Sequence, residues 1–291
     1  MRDWFRYAVS RFRAAGLSYG HGTSNAVDEA AYLILHTLNL PIDHLEPWLD
    51  AQLLPAERQA IAAVIENRIA SRKPASYLTN EAWVQGHAFY VDERVIVPRS
   101  YLGELLAGGL AAVIEDADRV RHVLDLGTGS GCLAILAALA FPAASIDASD
   151  ISDDALAVAR RNVGDYGLED RISLWKSDLF AALAGRRYDL ILANPPYVRE
   201  DAVAAFPPEY AAEPRLAHAA GPDGLAVVRR ILSEADHFLT SDGVLMVEVG
   251  SGRALLEEEF HNLPFLWLDT AASEGEVLAL TRRQLKGGNR P

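Results

Sequence analysis

Apolar positions recur at helical spacing over residues 1–73. Trp4, Phe5, Ala8, Val9 and Phe12 form one stripe, Val27, Ala30, Ala31, Ile34 and Leu35 a second, and Ile61, Val64, Ile65 and Ile69 a third. Ser24 or Asn25 offers an N-cap to the second helix, and Pro55 opens the third. The pattern then shortens. Residues 83–91 and 95–97 read as two strands joined through Asp92, Glu93 and Arg94, a β-hairpin within a connecting region, 74–106. Pro98-Arg99-Ser100 ends that hairpin, and a helix follows. Beyond it, short solid apolar runs at 122–126, 144–148, 171–176 and 188–192 predict buried strands, with a helix at 132–141. A helix over 227–239, a buried strand over 243–249 and a closing pair at 265–268 and 277–280 complete the pattern. The prediction is α/β: a helical domain 1–73, a linker with a hairpin 74–106, and a domain 107–291.

Candidate chemistry gathers at the carboxyl ends of the four consecutive strands. The first ends in Asp125-Leu126 and runs into Gly127-Thr128-Gly129-Ser130-Gly131, with a helix from Cys132. Strand, glycine loop and helix form a cradle for a nucleotide-like ligand, because glycines admit the ligand to the backbone and the helix start offers free amides. The third glycine falls one position early for a dinucleotide loop, which suits a ligand without a pyrophosphate. The second strand ends at Asp150, placed to accept from ribose hydroxyls; Ser152, Asp153 and Asp154 can cap the next helix without it. The third ends at Ser177-Asp178-Leu179-Phe180, an acid among apolar neighbours that suits an adenine, with a plain N-cap as the equal alternative. The fourth ends at Asn194-Pro195-Pro196-Tyr197. Both prolines lack a donor and hold the preceding residue extended, so the Asn194 carboxamide faces outward to grip another amide or amine, and Tyr197 adds a flat face.

Composition narrows the function. Lys+Arg 27 against Asp+Glu 40 gives −13, which opposes non-specific nucleic-acid binding and favours a basic partner. The lone Cys132 excludes an intrachain disulfide and a multi-cysteine zinc site; it reads as a packing residue, and no metal is expected. The longest strongly apolar stretch, 132–144, is too short to span a bilayer, and no signal-like segment opens the chain. A cytoplasmic protein is expected. His21, His36 and His44 lack ligand-like spacing and read as satisfied or exposed side chains.

Taken together, these motifs resemble the Rossmann-like S-adenosyl-L-methionine-dependent methyltransferases. The Asn-Pro-Pro-Tyr run resembles the branch that methylates amide or exocyclic amine nitrogens, and protein-glutamine N5-methyltransferases above all. The resemblance also covers the helical module, the hairpin, Glu213-Pro214 and Gly221-Pro222-Asp223-Gly224-Leu225. Residues 77–83, 89–100 and 275–281 look like the branch acting on the third protein of the large ribosomal subunit. Tyr101-Leu102 departs from both that branch and the release-factor branch. The resemblance implies a seven-stranded, mostly parallel sheet whose last strand is antiparallel. It implies that S-adenosyl-L-methionine is held by Asp125, Gly127, Thr128, Gly129, Ser130, Gly131, Asp150, Asp178, Leu179 and Asn194. It further implies that the Asn194 side chain and the Pro195 carbonyl receive the two hydrogens of the acceptor amide, beside Pro196 and Tyr197. The implied partner is a basic ribosomal protein, docked on the helical module, with no membrane and no direct nucleic-acid contact. Release factors as substrates, an adenine N6-methyltransferase and a non-catalytic binding module are the alternatives; the last has no need of Asn194. No general base is evident.

Overall fold

A computed structural model describes residues 1–218 and 220–288. Helices α1 (Arg2–Ala14), α2 (Ala26–Thr37) and α3 (Pro55–Ser71) pack around Ala8, Phe12, Leu33, Ile34, Ile61 and Ile65. Asn25 is the N-cap of α2, its side chain accepting from the amides of Val27 and Asp28. That start turns Val27 outward, and the buried face runs through Ala26, Ala30, Leu33 and Ile34 instead. A short α4 (Ala75–Thr79) follows.

The hairpin lies elsewhere than the alternation predicts. Strands β1 (Glu81–Val84) and β2 (His87–Tyr90) pair antiparallel around Gln85-Gly86, both at positive φ (50° and 78°). Two left-handed residues give the two-residue turn whose twist matches the strands. Asp92 instead tightens a separate turn, accepting from the Arg94 amide at 3.0 Å. Residues 95–97 belong to no strand; Val95 and Val97 are buried, and Ile96 between them lines the site.

Helix α5 (Tyr101–Ala107), capped by Ser100, leads into the sheet. Its strands are β3 (His122–Leu126), β4 (Ser145–Asp150), β5 (Ile172–Lys176), β6 (Tyr188–Ala193), β7 (Leu239–Glu248), β8 (Leu266–Leu268) and β9 (Val277–Thr281). They lie in the order β5-β4-β3-β6-β7-β9-β8, all parallel except β9. Interleaved are α6 (Cys132–Ala140), α7 (Asp153–Asp165), α8 (Glu200–Ala204), α9 (Ala226–Glu234), α10 (Arg253–Glu259) and α11 (Arg282–Gly288). Both faces are covered: Val123, Leu190 and Leu192 join one core, Leu124, Leu126 and Ile191 the other. The strand order reverses between β3 and β6, where Leu126 pairs with Ala193. Open α/β sheets bind ligands at such a reversal, so the glycine loop and the Asn-Pro-Pro-Tyr loop meet there.

The helix expected to reach 239 stops at Glu234, and β7 begins at Leu239. Leu239 pairs with Tyr188, and the register then shifts so that Leu190 meets Val244. Gly243 makes this irregularity possible, since a Cβ there would lie 2.7 Å from the Tyr188 carbonyl oxygen.

Candidate active site

A cleft of about 480 Å³ opens along the carboxyl ends of β3, β4 and β6. One half is lined by Gly127, Thr128, Gly129, Ser130, Asp150, Asp178 and Leu179, the other by Arg99, Asn194, Pro195, Pro196, Tyr197, Phe206, Tyr210 and His218. Gly127 and Gly129 have φ of +72° and +55°, and a Cβ on either would meet nothing within 4 Å. Their backbone is therefore bare toward open space, as a close-approaching ligand requires. Gly131 faces the protein instead, 3.2 Å from the Ala159 Cβ on such a test, and sets the packing of α6 on α7.

Asp125 does not line the cleft. It is fully buried behind the loop, where Oδ2 accepts from the Thr128 hydroxyl (2.6 Å) and the Ala134 amide (3.1 Å). Burial pushes its carboxyl up to about 7, against those two hydrogen bonds. Asp150 does line the cleft. Its oxygens accept from the amides of Gly129 and Ser152, each at 2.9 Å, so it braces the glycine loop; Ser152 itself caps α7. Two oxygens with about four acceptor sites leave room for a ligand hydroxyl. Burial raises the Asp150 carboxyl as well. Asp178 is half exposed and paired with Arg230 at 3.0 Å, and Leu179 holds a left-handed φ of 48°.

On the other half, Asn194 donates from Nδ2 to the Arg99 carbonyl at 3.3 Å. The Tyr197 hydroxyl donates to Glu248 Oε1 at 3.0 Å, while Glu248 Oε2 accepts from the Ser100 hydroxyl and the Tyr101 amide. The Tyr197 ring rests on Gly250, where a Cβ would come within 2.7 Å of two ring carbons. Burial and the Glu248 charge hold the Tyr197 hydroxyl above its ordinary range, so it stays protonated.

Arg99, Glu213, Glu248 and His218 escaped the sequence reading as site residues. Glu248 had a signal, an acid closing the apolar run of β7; Glu213 had only its place in the resemblance. Its carboxylate is fully buried with His218 Nε2 at 2.9 Å, His21 Nε2 at 3.5 Å and the Arg99 fork at 2.8 Å. Burial acts to raise Glu213, but His21, His218 and Arg99 outweigh it and hold the carboxyl well below the usual range. His21 is thus buried and reaches the cleft wall, whereas His44 is exposed.

A seven-stranded sheet with only its last strand antiparallel, a bare glycine loop and an acid at the next strand end match the Rossmann-like methyltransferase fold that the motifs imply. The Methyltransferase small domain model matches residues 107–206. The hMettl16 catalytic domain, solved in complex with a 3'UTR hairpin, shares the fold at TM-score 0.55 and 15% identity, covering 96% of this chain and 92% of that one. The ribosomal protein uL3 glutamine methyltransferase of Burkholderia pseudomallei is 56% identical over 98% of this chain and 95% of its own. That of Neisseria gonorrhoeae is also 56% identical, over 99% and 96%. The chain belongs to this glutamine methyltransferase family. The family and fold imply use of S-adenosyl-L-methionine.

Proposed function

We propose that the protein methylates the side-chain amide nitrogen, N5, of a glutamine in uL3, the third protein of the large ribosomal subunit. The observation that carries the reaction is Asn194: its Nδ2 is tied back to the Arg99 carbonyl, which leaves Oδ1 as an acceptor at the cleft. The relatives' shared name carries the substrate.

S-adenosyl-L-methionine, when bound, supplies an electrophilic methyl group. The bare loop at Gly127 and Gly129 fits such a ligand, with Thr128 and Ser130 beside it, Asp150 for the ribose, and Asp178 and Leu179 for the adenine. Asp125 and Gly131 serve by shaping the loop from behind. An amide nitrogen is a poor nucleophile because its lone pair is delocalised into the carbonyl. Asn194 Oδ1 and the Pro195 carbonyl accept its two hydrogens, aim the lone pair out of the amide plane and stabilise charge developing on nitrogen. Pro196 keeps the Pro195 carbonyl in place, and Tyr197, fixed by Glu248 and Gly250, flanks the amide.

Residues 1–73 form the substrate-recognition module in this reading, 74–106 the linker and 107–291 the catalytic domain. The partner is a basic protein met in the cytoplasm, without direct nucleic-acid contact; no described helix is long and apolar enough to cross a membrane. Incubation with methyl-labelled donor and ribosomal extract tests the reading. The label is expected on uL3; label on RNA instead overturns it.

A further inference from the structure

We propose that Glu213 is a positioning residue for methyl transfer, orienting the Asn194 carboxamide through Arg99; this rests on the role given to Asn194 above. A fully buried carboxylate is costly unless every lone pair is used. Glu213 takes hydrogen bonds from Val97 and Arg99 of the linker, and His218 of the loop beyond α8 and His21 of the helical module lie beside it at 2.9 and 3.5 Å.

The linker contacts matter most. Glu213 Oε1 accepts from the Val97 amide at 3.0 Å, and its two oxygens receive the two arms of the Arg99 guanidinium, each at 2.8 Å. A bidentate fork fixes orientation as well as distance. Pro98, with its locked φ, sits between these two anchor points. The backbone carbonyl of Arg99 is thereby held in one place, and it is the group that receives Asn194 Nδ2. A carbonyl can only accept, so the nitrogen end of the carboxamide must face it. The oxygen end is then left for the substrate amide. Without Glu213, Arg99 loses its fork, the carbonyl keeps only the Glu248 clamp on Ser100 and Tyr101, and the Asn194 amide is less firmly oriented. His21 lies against the same carboxylate at 3.5 Å, so the helical module abuts this cluster.

A double-mutant cycle separates this role from simple glue between module and loop. The rate of methyl transfer in the donor-saturated full-length protein is measured for wild type, Glu213→Gln, Asn194→Ala and the double variant. Donor affinity is measured in parallel by calorimetry. The acceptor is purified uL3 or, if wild type prefers it, purified release factor, so a wrong substrate assignment leaves the cycle readable. Glu213→Gln is expected to slow transfer about 10- to 100-fold, within the range of coupling in one hydrogen-bonded network, with donor affinity unchanged. In the Asn194→Ala background the same change should cost less than about threefold, since the group it orients is gone. Multiplying effects, or equal losses of donor affinity and rate, would overturn the proposal. Should Glu213→Gln not fold, Arg99→Lys keeps the cation, breaks the fork, and must show the same non-additivity. Wild type that methylates neither protein would overturn this inference and the functional reading together.

Discussion

In the proposed mechanism Asn194 carries the chemistry with one end of its side chain already committed to Arg99, so its loss should fall on turnover. Asn194→Ala is expected to lower the rate about 10²–10³-fold, the cost of a lost transition-state partner, with donor affinity near wild type by calorimetry. Asp125 makes a prediction of a different kind. Its carboxyl ordinarily loses its proton near 3.8 but is pushed up to about 7 by burial. Between those values the folded state holds a proton that the unfolded state has released, so this group makes stability fall as pH rises. Asp125→Asn removes that titration. The stability of the variant relative to wild type, by urea unfolding, should rise from about pH 4 to about pH 7 and level off; a flat difference would contradict the burial argument. The glycine loop, Asp150 and Asn194 were legible in sequence because backbone freedom, strand ends and prolines announce themselves locally. Arg99 and Glu213 were not, because each is an ordinary charged residue and the two lie more than a hundred positions apart.

The four consecutive strands β3 to β6 could be read to within a residue or two, since solid apolar runs bounded by glycine or acid have few other uses. The hairpin could not. Alternation carries on through residues 83–91, and only the positive φ at Gln85 and Gly86 breaks it, which one glycine signals weakly. The α9–β7 boundary was lost for a similar reason: Phe238-Leu239 is apolar in either state, and Tyr188 across the sheet decides it. The segment 97–101 was read merely as the end of an element, yet two buried carboxylates, Glu213 and Glu248, clamp it to the site. Glu248 tests that clamp. Glu248→Ala strands the Tyr197 hydroxyl, the Ser100 hydroxyl and the Tyr101 amide, and should cost roughly 2–4 kcal/mol of stability in urea titration. Glu248→Gln should cost less than about 1 kcal/mol, because its oxygen can still serve Ser100 and Tyr101 while its amide donates to a rotated Tyr197 hydroxyl. Equal losses from the two substitutions would show that charge, rather than hydrogen bonding, holds the segment.

The excess of negative charge is unevenly placed along the chain. Residues 1–73 hold eight Lys and Arg against eight Asp and Glu, so the −13 belongs to the remainder of the chain. In the proposed function, attraction to a basic partner therefore comes from the linker and catalytic domain, and the helical module contributes shape. Two clusters of buried charged and polar side chains lie between that module and the cleft wall. Arg68 and Arg72 face Glu209, with Arg72 at 2.8 Å, and His21 faces Glu213. Exposed charges are screened over about 8 Å at physiological salt, so binding of the basic substrate should weaken as salt rises while these buried clusters persist. A salt-independent affinity by titration calorimetry would deny the electrostatic contribution. Mass spectrometry identifies the methyl acceptor. Purified uL3 and purified release factor are each incubated with the full-length protein and S-adenosyl-L-methionine, then digested and sequenced. One added methyl group on a glutamine side chain of uL3, with release factor unmodified, is the predicted result. A methylated glutamine on release factor alone would contradict it.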